Sequence, residues 1–171
     1  MALKGDRYEF ETTIDFFMNE VAERGGVVTL STAGSGAALD QSAALVTYAA
    51  AQSGQVPIGI LLNDMVNIDQ TRQHINFHKN EMQKGGKVTL LKKGTVVTNR
   101  IDPGITPTKG QIAFVGPSGF ITNTNSGPLI NRKNYAGGLA IGQFDSLKDE
   151  DGYAKISVNL PQADANTYPN R

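Results

Sequence analysis

Polar and apolar positions alternate in short runs along this chain, and few stretches follow a helical period. Residues 153–160 are the clearest case. Ile156, Val158 and Leu160 alternate with Lys155, Ser157 and Asn159, as in a strand with one buried face. Residues 87–91 and 95–99 are rich in Val, Thr and Leu, which suits a pleated surface. Lys92-Lys93-Gly94 lies between them, and Gly94 can take positive φ, so the pair is expected to form a β-hairpin. Further strands are expected at 27–30, 45–48, 56–62, 111–115, 120–124 and 138–144. Pro57 places its strand at an edge or itself at a first position. Residues 116–119 read as a tight turn, and 145–152 as an acidic loop joining the last two strands.

The first 26 residues are distinct. Tyr8, Phe10 and Thr12 alternate with Glu9 and Glu11, which predicts an extended stretch. Phe17 and Val21 stand four apart, so a helical turn near 16–23 is an alternative, closed by Gly25-Gly26. Two readings stand side by side. The segment is the first strand of the domain's own sheet, or it is an arm that docks on a partner through Tyr8, Phe10, Ile14, Phe16 and Phe17. On the arm reading it adds a strand to a neighbour's sheet, and deleting residues 2–18 leaves a folded domain. Residues 65–84 form a long excursion of mixed character, and 161–171 a polar tail. The expected organisation is an N-terminal arm at 1–26, a β domain at 27–160 and the tail. The domain has about eight to ten short strands, the signature of an all-β barrel or sandwich.

Composition agrees with many turns: there are 19 glycines and 7 prolines in 171 residues. That length suits one domain, burying about 70% of its unfolded surface. Cysteine is absent, which excludes disulfides and thiolate metal sites. No apolar run reaches the ~18 residues of a membrane span, and the N-terminus lacks an apolar signal core. The chain is therefore expected to be made and used inside a cell, or released with a particle assembled there. Net charge is zero but unevenly placed. Residues 1–70 carry three basic and nine acidic residues; residues 71–133 carry ten basic and two acidic. Neither an overall basic balance nor a nucleic-acid motif is present. Lys87, Lys92, Lys93 and Arg100 are candidates for electrostatic contact with acidic surface, on this chain's own arm or on a neighbour.

Candidate chemistry is sparse. His74, His78 and Glu81 could bind zinc, but HExxH is absent and the cupin order of ligands is not met. Gly34-Ser35-Gly36 lacks the lysine of a phosphate loop and the GxGxxG spacing. Asp149-x-Asp151-Gly152 lacks the length and terminal Glu of a calcium loop. No GxSxG or Ser-Lys motif stands in a fitting context. A structural, non-enzymatic role without metal or cofactor is the expectation.

Two stretches, VPIGILLND and GGKVTLLKKGTVVTNRI, resemble bacteriophage head decoration (capsid cement) proteins. The matching positions are Gly59, Asn63, Asp64, Gly86, Val88, Thr89, Gly94, Val96 and Val97. The closing GLAIGQFDSLKDEDGYAKISVNL is similar in style, and the likeness covers roughly residues 27–160. It implies a compact β-barrel or β-tulip with an N-terminal arm. It further implies a virion protein, made in the host cytoplasm, that sits on the outer capsid surface as a homotrimer. Its partners would be the major capsid protein and itself, with no nucleic acid, membrane or small-molecule substrate. The alternatives are a tail, neck or spike component, then a small-barrel metal-binding module or enzyme.

Overall fold

The computed structural model describes residues 3, 8–34, 44–48, 55–62, 81–124, 129–130, 134–135 and 139–160. The domain is mainly β. Its strands are β1 (Tyr8–Met18), β2 (Ala22–Glu23), β3 (Val27–Thr32), β4 (Leu45–Thr47), β5 (Pro57–Leu61), β6 (Glu81–Met82), β7 (Lys87–Thr98), β8 (Ile112–Val115), β9 (Ile121–Thr122), β10 (Leu129–Ile130), β11 (Asn134–Tyr135), β12 (Ala140–Phe144) and β13 (Ala154–Asn159). Nine of them make one sheet in the order β1-β4-β3-β5-β7-β13-β12-β8-β9, with β1 also pairing β7. Two small pairs, β10–β11 and β2–β6, stand apart from it.

The nine strands do not close into a single barrel. The extra β1–β7 pairing instead returns the first five strands on themselves. β1 meets β4 at Phe17 and Met18, and β7 along Tyr8 to Phe17. The other four strands run off β7 as a flap. A parallel bridge from Ile121 to Ile101 brings the far end of the flap back beside the chain that leaves β7.

Two cores result, and β7 serves both. Met18, Val28, Val46, Leu61, Val88 and Leu90 pack inside the five-strand ring. Val27, Ile60, Leu91, Val96, Ile141, Phe144, Ile156 and Val158 pack between the ring's outer wall and the flap. Adjacent residues of β3, β5 and β7 thus face opposite cores. A strand buried on both faces reads as a continuous apolar run, which accounts for Val27-Val28, Ile60-Leu61 and Leu90-Leu91.

The expected hairpin at 87–99 is one continuous twelve-residue strand. Gly94 takes positive φ (143°), but not to turn the chain. The carbonyl oxygen of Tyr8 occupies the place a Cβ would need. Glycine within a strand marks such a close approach as readily as a turn. The structure also chooses between the readings of the N-terminal segment: residues 8–18 are a strand of the domain's own sheet, with no helical turn at its end. Pro57 is the first residue of β5, and β8–β9 and β12–β13 pair antiparallel across the expected connections.

The inclusion of β1 reverses the expected effect of truncation. Removing residues 2–18 takes out Met18, which is fully buried, and strips β7 of its partner along one edge. The truncated chain is expected to lose its cooperative thermal transition by circular dichroism. A sharp melt near that of the full chain would show that the ring closes without β1. Gly142→Ala probes the flap in the same way, because Ser157's carbonyl fills the space of its Cβ. It should cost about 1–3 kcal/mol.

Candidate docking surface

Strand register places residues from distant parts of the chain in one row. Tyr8 lies opposite Thr95, Thr95 opposite Ser157, Ser157 opposite Gln143, and Gln143 opposite Ile112. The neighbouring row, Val96–Ile156–Phe144, is buried. The period of two therefore turns the Tyr8–Ile112 row outward across five strands. Tyr8 is 64% and Ile112 53% exposed, and Gln143 is exposed with its amide donating to Gly110 O (2.8 Å). Glu11, Lys93 and Asn159 form the next outward row, where Glu11 and Lys93 pair at 3.2 Å. An exposed pair of this kind contributes roughly 0–1 kcal/mol.

β1 carries three of the seven large apolar side chains that are exposed among the described residues. Phe10 is 73% exposed and Ile14 45%. Register breaks explain why. Glu9 pairs with Gly94 and Glu11 with Lys93, so Phe10 has no counterpart on β7 and is displaced from the ladder. A second break, between Thr13 and Phe16, frees Ile14 and Asp15 in the same way. Phe16 turns inward against the ring core, and Phe17 is half-buried opposite Lys87.

Of the four basic candidates, Lys87 is half-buried on β7 and Lys92 half-buried at a register break, and neither forms an ion pair among the described residues. Lys93 is tied to Glu11, and Arg100 is engaged within the chain. The guanidinium of Arg100 lies 5.7 Å from the centre of the Tyr48 ring and 5.5 Å from that of Phe120, and reaches Glu23 at 3.4 Å. Acidic N-terminal residues thus do meet basic residues of the body on the same chain, through Glu11 and Glu23.

Tyr48 is the centre of that clamp. Its hydroxyl donates to Glu23 O and accepts from the Gly26 N–H (3.1 Å). Its ring packs so closely against Gly26 and Gly119 that neither position has room for a Cβ. The Glu20 carboxylate accepts from the Thr47 hydroxyl and the Tyr48 N–H. Burial raises the Tyr48 pKa above its ordinary value of 10.0, while Arg100 pulls it partly back. The clamp fastens β4 of the ring to the turn between β8 and β9, and so sets the flap against the ring. Nothing in the spacing of the sequence marks Tyr48. Ser157 and Lys155 were legible as outward positions, whereas Thr95, Gln143 and Ile112 become neighbours of Tyr8 only through register.

The remaining candidates divide by position. His74, His78 and Ser35-Gly36 lie outside the described residues. Among the described residues, no three His, Asp or Glu are grouped to hold a metal ion. In the acidic loop, the Asp149 carboxylate accepts from the N–H groups of Asp151 (3.1 Å) and Tyr153 (2.7 Å), which closes the turn.

No protein-family model matches the chain, and a search of curated proteins finds no match.

Tyr48 makes alkaline pH a probe of the clamp. A phenol whose folded pKa is raised contributes stability in full below 10, and that contribution is lost as pH rises through the folded value. Tyr48 should ionise only with unfolding, as read by the ultraviolet absorbance change that a Tyr48→Phe variant lacks. Tyr48→Phe should cost about 1–3 kcal/mol at neutral pH, by leaving Gly26 N–H and Glu23 O without that partner. It should also flatten the alkaline loss of stability. Ionisation of Tyr48 before unfolding would contradict the clamp.

Proposed function

We propose that this chain is a structural virion protein: a decoration or cement protein that binds the outer surface of a phage head and bridges neighbouring major capsid proteins. The observation that carries this reading is the outward Tyr8–Thr95–Ser157–Gln143–Ile112 row, with Phe10 and Ile14 exposed farther along β1. These side chains stand on hydrogen-bonded strands, so little ordering opposes docking. The resemblance at residues 56–64 and 85–101 supplies the partner class. A cement protein works by modest contacts made to several subunits at once, since linking raises effective concentration. Zero net charge limits repulsion when many copies crowd one shell.

Co-sedimentation tests the reading directly. The full chain is expected to pellet with purified, expanded heads of its own phage, to saturate, and to raise the temperature at which they break. Ile112→Arg, at an exposed position, should weaken binding about tenfold or more without changing the melting temperature of the free protein. Failure to bind heads at saturating concentration sinks the proposal. Binding to isolated tails in place of heads would move the protein to the tail, neck or spike class.

A further inference from the structure

We propose that the turn at residues 23–26 sets the twist of the outward face, and that Thr98 and Arg100 are the positioning residues that tie the flap to it. The row from Tyr8 to Ile112 crosses five strands, β1 and β7 of the ring and β13, β12 and β8 of the flap. Ladder hydrogen bonds fix its register but not its shape, because the angle between neighbouring strands ranges over roughly −10° to −35°. Over four steps that freedom adds up. Apolar packing between ring and flap is not directional, so it holds the two together without choosing among close alternatives.

Directional contacts converge on the turn between β2 and β3, where Gly25 takes positive φ (103°). Three distant elements bond its backbone. Tyr48, next to β4, donates its hydroxyl to Glu23 O and accepts the Gly26 N–H. Leu61 of β5 accepts from the Gly25 N–H (2.8 Å) and donates to Gly26 O (3.0 Å). At the end of β7, the hydroxyl of the fully buried Thr98 donates to Gly25 O (2.9 Å). That hydroxyl also accepts from the Arg100 N–H (3.0 Å), and the Arg100 guanidinium reaches the Glu23 carboxylate. The flap meets the same stretch at both of its ends. Thr98 lies opposite Ala154 of β13, while Ile121 of β9 donates to Arg100 O (2.8 Å) and accepts from the Asp102 N–H (2.9 Å). Phe120 stacks on the Arg100 guanidinium, and a Cβ on Gly26 would meet Gly119 O at 2.7 Å. Residues 98–102 thus join the turn through side chains and both ends of the flap through backbone. With its two ends tied to one short stretch, the flap has a fixed total twist, and buried polar contacts of this kind rigidify one arrangement.

The chain has no cysteine, so spin labels on a Val56→Cys, Leu147→Cys variant report the separation of ring and flap alone. Both positions are exposed, the first beside β5 and the second between β12 and β13, and neither belongs to the row or the turn. Pulsed electron paramagnetic resonance on the full chain should give one narrow distance. Thr98→Val and Arg100→Met should each keep a cooperative melt yet broaden that distance about twofold or split it, as strand twist regains its range. Lys93→Met, which removes the Glu11 ion pair away from the turn, should leave the distance narrow. A narrow distance or a lost melt in either turn variant, or equal broadening in Lys93→Met, overturns the proposal. Only the consequence for capsids rests on the proposed function: both turn variants should bind heads more weakly, although neither residue lies in the row. Failure of the full chain to bind heads refutes the capsid reading while the distances still decide the turn. Narrow distances with normal head binding refute the turn and leave the capsid reading standing.

Discussion

Burial of β7 on both faces is the constraint on which the rest of the structure depends. Leu90 faces the ring core and Leu91 the flap core, so a shift of one residue would exchange the contents of the two cores. Ladders on both edges hold the strand in register: β1 on one side, β5 and then β13 on the other. The crowding shows in the glycines. A Cβ at Gly59 would meet Leu91 O at 2.8 Å, and one at Gly94 would collide with Tyr8 O. Small residues stand where three strands converge, because only a bare backbone fits there.

The same constraint explains what could be read from the sequence. Alternation in residues 153–160 gave β13 and its outward face, since only one of its faces is buried and no distant contact competes with the local pattern. The paired apolar residues of β3, β5 and β7 indicated strands but could not say that their two faces belong to different cores. Lys92-Lys93-Gly94 carries the local signature of a turn, and the sequence holds no sign that Tyr8 would press against Gly94 and keep the strand straight. Alternation in residues 8–12 marked an extended segment correctly, but not whose sheet it joins. Period reports conformation, whereas pairing depends on the rest of the chain. The outward row was hidden for that reason: it sums four separate registers.

Placing β1 in the domain's sheet changes the physical argument for docking. An unstructured arm must be ordered as it binds, at roughly 1–2 kcal/mol of backbone entropy per residue fixed. Here that cost belongs to folding, and on the proposed reading Tyr8, Phe10 and Ile14 are already in position for a partner. Rigid contacts lose less on binding, but they demand that the partner's geometry fit. The clamp of Tyr48, Arg100, Phe120 and Glu23 matters for the same reason. It fixes the flap, which carries Ile112 and Gln143, relative to the ring, which carries Tyr8 and Phe10. A surface assembled from both halves can be read as one shape only while that joint holds.

Charge divides the labour between long range and short range. With no net charge, the chain carries no strong long-range steering field. At contact distance the field is not neutral: β1 is wholly acidic in its charged residues, and β7 beside it wholly basic. Among the described residues, the Glu11–Lys93 pair joins the two strands.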